Sequence, residues 1–111
     1  LLANLAFARG AHAEARELMT RALAIVPELP RGHEMLGMIA LAQGDPRAAI
    51  EAFEWERALD PATRDVPFRL GQAWQRLGDR ERARTWYRRA IDLDPGHREA
   101  RDSLEALERR R

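Results

Sequence analysis

A period of 34 residues constrains this chain more than any other feature. Pro27, Pro61 and Pro95 keep that interval, as do Gly10, Gly44 and Gly78, and Ala15, Ala49 and Ala83. Three unrelated residue types therefore hold one frame. Leu2, Leu36 and Leu70 follow it, Ala3, Gly37 and Gly71 follow as small residues, and Met19, Phe53 and Tyr87 as large apolar ones. A fixed period of this length marks an array whose units cannot bury their apolar faces alone and must stack on one another.

Each unit reads as two helices. In the third, "RDVPFRLGQAWQRLG" carries Pro67 in its first turn, where a missing N–H costs little, and places Leu70, Ala73, Trp74 and Leu77 at helical spacing before Gly78 ends it. After Asp79, Ala83, Trp86, Tyr87, Ala90, Ile91 and Leu93 form one broad apolar stripe, which Pro95 stops. Two amphipathic helices joined by a short turn make an antiparallel hairpin. With 111 residues, 45% of them hydrophobic, the chain can build one packed unit. No cysteine is present, so stability must come from packing. No apolar run approaches membrane-spanning length.

The third unit reads "LG", "W", "LGD", "A", "Y", "A" and "LDP" in order, and the second reads "MLGMIALAQGD…A…F…LDP". At these residues the chain resembles the tetratricopeptide repeat family. The resemblance implies an all-α fold, a right-handed superhelical solenoid of antiparallel helix hairpins. Residues 1–29 match a truncated repeat that lacks the start of its first helix, and 30–63 and 64–97 match whole repeats. The remaining 98–111 hold Ala100, Leu104 and Leu107 as a narrow apolar strip, with Glu105 and Glu108 where earlier units carry packing residues. This segment is expected to form a capping helix to about residue 110, covering the third hairpin and turning a polar face to water. Leu1, Leu2 and Leu5 begin mid-helix without a capping residue, so the natural protein is expected to continue upstream.

One residue breaks the pattern. Glu56 stands where the other units carry Ala22 and Ala90, positions at which helices approach closely, and a buried unpaired carboxylate there costs several kcal/mol. In one reading the helix keeps its register, Glu56 swings to an edge or pairs with an arginine, and Trp55 projects outward. In the other, "WERAL" slips by two residues, so that Trp55 takes the aromatic slot and Ala58 the close-contact slot. Ala49 and Pro61 favour the unshifted frame.

In the resembling family the first helix of each unit lines a concave groove where peptides dock. Carried onto this chain, the lining comprises Asn4 and Phe7, then Arg31, Glu34, Met35, Met38 and Leu41, then Asp65, Phe68, Arg69, Gln72 and Gln75, with Glu99 and Asp102 as additions from the cap. Met38, Phe68 and Arg69 are the expected principal contacts: methionine adapts to apolar ligands and arginine can hold a carboxylate. A structural role in the groove wall competes for Phe7 and Phe68. One subclass of the family binds chaperone C-termini through a clamp of lysine, asparagine and arginine. Asn4 and Arg69 match that clamp, whereas Met35 and Asp65 replace its asparagine and lysine, which argues against chaperone tails as ligands.

Other chemistries find little support. His12, His33 and His97 lie in separate units without metal-ligand spacing and read as isolated surface residues. The only serine, Ser103, is on the expected cap, and no nucleophile motif is present. A non-catalytic domain without a cofactor or metal is therefore expected. All 19 basic residues are arginine, against 18 acidic ones, for a net charge of +1, which is no general footprint for nucleic acid. The arginines around Trp86 and Tyr87 read as a solvated face because those aromatics belong to the core stripe. No membrane partner is implied. Two functional classes remain: a protein-interaction module with a peptide in its groove, and an assembly or spacer segment that packs through its N-terminal hairpin. The arginine-only, alanine-rich usage points to a GC-rich bacterial source. A cytoplasmic setting is expected, with the periplasm as the alternative.

Overall fold

Small residues facing large ones determine how each hairpin closes. A computed structural model describes residues 2–109 as seven α-helices: α1 Leu2–Ala8, α2 His12–Ile25, α3 Gly32–Ala42, α4 Pro46–Leu59, α5 Val66–Leu77, α6 Arg80–Leu93 and α7 Arg98–Arg109. Each helix packs on the next along the chain, and α3 also touches α5. No strand occurs among the described residues. A side chain added at Gly37 would overlap the Phe53 ring, and one at Gly71 would overlap the Tyr87 ring. The ring of one helix thus sits directly on the backbone of its hairpin partner. The first hairpin has Ala3 in this place, and there the large residue is Met19, which can bend around a methyl group.

The turns and helix ends follow from local chemistry. Gly44 and Gly78 have φ of +78° and +97°, a left-handed conformation that glycine adopts without steric cost. Asp45 and Asp79, immediately after them, accept hydrogen bonds from the N–H groups of Ala48 and Arg82 at 3.2 and 3.0 Å and so cap α4 and α6. Helices α2, α4 and α6 all end two residues before the periodic prolines.

Three apolar clusters bridge successive elements. Ile39 of α3 packs with Ala3, Ala6, Ala15, Met19 and Leu23, while Val66, Leu70 and Ala73 of α5 pack with Ala49 and Phe53. The third joins Phe68, Ala83, Tyr87 and Ala90 to Ala100 and Leu107 of α7. Helix α7 thus covers the third hairpin with the strip expected of it, and Leu104 is half-buried. Arg80 donates to the Leu107 carbonyl at 2.6 Å and Arg88 to Glu108 at 2.9 Å, so Glu108 faces α6 across an exposed ion pair. Residue 110, at the expected end of the cap, and Leu1 lie outside the described residues.

Helix α4 keeps the unshifted register: Phe53 is fully buried and Trp55 is 56% exposed on the outer side, its ring stacked on His33 at 5.4 Å. Two expectations need correction. Glu56 neither reaches an edge nor pairs with an arginine; it is buried, and its carboxylate accepts the backbone N–H of Glu34. Leu93, expected on the core stripe of α6, is 44% exposed: it is the last residue of the helix and belongs to none of the three clusters.

Candidate functional site: a methionine-lined pocket between α1, α3 and α5

The start of α3 combines features that propensity alone does not provide. Arg31 precedes the helix with φ of +61°, the only non-glycine residue with positive φ among those described, and its side chain does not cap the helix. The free N–H at Glu34, third in the helix, is met by Glu56 Oε1 at 3.1 Å. A carboxylate from α4 thus caps α3, complementing the positive end of the helix. The buried Glu56 side chain thereby has a defined partner, as a buried carboxylate requires.

The Glu34 carboxylate is itself only 2% exposed and accepts from both sides. Arg31 Nε donates to Oε1 at 3.0 Å and Arg69 Nε donates to Oε2 at 3.1 Å. The hydrogen bond and charge of Glu34 raise the pKa of Arg31 above its ordinary value, with smaller support from Asp65 and Glu56. Arg69 lies on α5, so this pairing also ties the second hairpin to the third.

Around this group lies a pocket of about 330 Å³ lined by Asn4, Met19, Leu29, Pro30, Arg31, Gly32, Glu34, Met35, Met38 and Arg69. Six of the twelve groove residues expected from the sequence meet here: Asn4, Arg31, Glu34, Met35, Met38 and Arg69. The other six lie elsewhere. Phe7 packs against the first cluster and tilts onto His12 at 5.4 Å. Leu41 is in the core beside Phe53, and its carbonyl accepts from Arg76. Phe68, 7% exposed, lies against Tyr87 and His97 at 5.9 and 4.9 Å, so its ring serves the third cluster. Asp65 meets His97, and Gln72 and Gln75 line a separate hollow of about 310 Å³ beside Tyr87, whose hydroxyl donates to Gln75 at 2.6 Å.

Sequence reasoning missed two features. Met19, Leu29 and Pro30 line the pocket, although only the core role of Met19 was legible from its period. His97 is buried rather than on the surface: Nδ1 accepts from the Ala100 N–H at 3.2 Å, capping α7, and Nε2 faces Asp65 Oδ1 at 3.2 Å. Accepting at Nδ1 leaves the proton on Nε2, from which it donates to Asp65. The position of His97 just before a helix was the available signal. Trp86 and Tyr87 are buried as the stripe required, and the guanidiniums of Arg57 and Arg89 lie over the Trp86 ring at 5.1 and 4.6 Å. No described helix is long and apolar enough to cross a membrane.

Comparison with solved structures places this geometry in a known setting. The first repeat domain of Spaghetti (RPAP3), bound to the HSP90 peptide SRMEEVD, superposes with a TM-score of 0.92 at 22% identity, covering 96% of this chain and 85% of that one. The Sgt2 domain from Aspergillus fumigatus gives 0.88 at 28% identity, covering 96% and 72%. The Yersinia enterocolitica type III secretion chaperone SycD, in complex with a peptide of the translocator YopD, gives 0.88 at 19%, covering 96% and 87%. No curated protein matches the sequence. The family model described as tetratricopeptide repeat matches residues 34–98, more than half of the chain. Together with the seven-helix stack, that match establishes that this chain belongs to the tetratricopeptide repeat family.

Proposed function

We propose that this domain is a protein-interaction module that holds a peptide segment of a partner in the pocket between α1, α3 and α5. The observation that carries this reading is the convergence of adaptable apolar side chains, Met19, Met35 and Met38, with the polar groups of Asn4, Arg31 and Arg69 around one opening of about 330 Å³. Apolar lining with a few oriented polar groups is what a ligand site requires, and methionine adapts to varied side chains. Two fold relatives, the Spaghetti domain and SycD, were solved with peptides bound, which supports the same use of the fold here. Among the expected contacts, Asn4, Met35 and Met38 form the proposed binding set, beside Arg31 and Arg69 paired with Glu34, while Phe68 and Leu41 pack into the core.

Retention of proteins from a lysate of the source organism, with a photo-crosslinker at position 38 and a second sample carrying it at Glu51 on the outer face of α4, tests this. A partner crosslinked from position 38 and lost when Met35→Glu is added supports the groove. Crosslinks from position 51 alone count against it.

A second reading has its own observation. Leu2 and Leu5 are 70% and 56% exposed, whereas Leu70 and Ile39, one or two periods along, are fully buried by the hairpin before them. Ile25, 81% exposed, ends the neighbouring helix. This surface suits packing against another helix, in an assembly or a longer polypeptide. Sedimentation that depends on concentration, and that Leu5→Glu abolishes, supports that role.

A further inference from the structure

We propose that Glu34 sets the class of ligand this pocket accepts: by holding both guanidiniums, it excludes acidic peptide ends and leaves the pocket for an uncharged segment with an apolar anchor. The inference rests on the groove reading above and deepens it.

Arg31 and Arg69 are the pocket's cationic groups, and each already donates its Nε to a different oxygen of Glu34. An incoming carboxylate seeking those donors competes with one built into the protein. Displacing Glu34 would strand a buried carboxylate without partners, a change far less favourable than loss of an exposed pair. The wider charge balance acts in the same direction. Two guanidiniums are set against Glu34, Glu56 and Asp65, all three of which act electrostatically on Arg31. His97, which faces Asp65, accepts a backbone N–H at Nδ1 and so adds a hydrogen bond rather than a full positive charge. An anionic ligand therefore meets a surplus of negative charge, and repulsion of this kind is an effective source of specificity.

Beyond the ion-paired guanidiniums, the lining open to a ligand is mainly apolar. Met19, Met35, Met38, Leu29 and Pro30 supply the lining, with the Asn4 amide as the uncharged polar group. That set suits a flexible aliphatic side chain with neighbouring peptide groups, taken from inside a partner's sequence rather than from its end.

The test uses two labelled heptapeptides and fluorescence anisotropy on the whole domain. One is SRMEEVD with a free carboxyl end, the peptide bound by the Spaghetti domain; the other is SRMQQVN with an amidated end. The wild type should bind the neutral peptide at least about tenfold more tightly, and Glu34→Gln should erase or reverse that ratio by freeing Arg31 and Arg69. Asp65→Asn, at a half-exposed position and with an oxygen kept to accept from His97, should move the ratio the same way, which keeps the test decisive if Glu34→Gln fails to fold. Preference of the wild type for SRMEEVD, or a ratio unmoved by the folded variants, overturns the assignment to Glu34. Binding of neither peptide by any of the proteins instead overturns the groove reading beneath it.

Discussion

The carboxylate of Glu56 accepts the backbone N–H of Glu34 at 3.1 Å, so the residue that breaks the repeat in α4 caps the start of α3 within the same hairpin. In the third hairpin the corresponding positions hold Ala90 and Phe68, and both belong to an apolar cluster. The second hairpin has exchanged an apolar pair for a carboxylate pair. Restoring only the alanine, Glu56→Ala, removes the cap and leaves a void beneath α3. A loss of about 1–2 kcal/mol is expected from the cap, while Glu56→Gln, which retains an accepting oxygen, should lose less. Urea unfolding measures both, and amide exchange at Glu34 should accelerate in the alanine variant alone.

Gly37 and Phe53 offer a cleaner test of how the hairpins close. A methyl group at position 37 overlaps the Phe53 ring, so Gly37→Ala should destabilise by about 1–3 kcal/mol despite alanine's better helix propensity. The first hairpin carries the alternative pair, Ala3 with Met19. Adding Phe53→Met to Gly37→Ala should therefore recover part of the loss, with a favourable coupling of at least about 0.5 kcal/mol in a double-mutant cycle. Strict additivity would show that the two residues do not determine each other.

Tyr87 provides a pH signature. Burial pushes its phenol up to about 12, and a hydrogen bond with Ser103 acts weakly in the opposite sense. The unfolded chain ionises near 10. The neutral phenol's contribution to stability is therefore whole below about pH 10 and is lost as pH rises toward about 12. This is the chain's single tyrosine, and there is no lysine to titrate in the same range. Tyrosinate absorbance should appear together with loss of helicity between those values, and Tyr87→Phe should shift the alkaline unfolding upward. Ionisation near pH 10 with the helices intact would contradict this packing.

His97 should matter to α7 and the hairpin it covers, not to the hairpins before it. Its Nδ1 caps the helix and its ring lies against Phe68, so His97→Ala should fray α7 at a cost of about 1–2 kcal/mol while α1 to α4 keep their amide protection. Equal loss of protection across all seven helices would show that the cap is not a separable element.

The fold was legible because a repeat states its geometry several times. The 34-residue frame carried the turns at Gly44 and Gly78, the ring-on-backbone contacts at Phe53 and Tyr87, and the strip on α7. Half of the expected groove residues converge on one pocket because α1, α3 and α5 follow the same frame. What escaped depended on contacts between particular side chains rather than on period. Glu56 finds its partner 22 residues away on another helix, and periodicity is silent on a pairing that only one hairpin makes. Phe68 and Leu41 fall in frame with the groove yet turn into the core, since a rotation of part of a helical turn decides which side such a residue faces. The burial of His97 is not legible in the sequence because its partners, Asp65 and the start of α7, meet only in the folded stack.

The chain's methionines make binding in the pocket directly observable. All three, Met19, Met35 and Met38, line it, so a methyl-labelled methionine spectrum of this protein contains signals from that site alone. A partner fragment recovered by crosslinking should be titrated into the labelled domain while the exposed Trp55 indole is followed in parallel. Shifts at Met35 and Met38 that saturate together, with Trp55 unmoved, are predicted. Saturable binding that moves Trp55 and leaves the methionine methyls in place would contradict the groove as the binding surface.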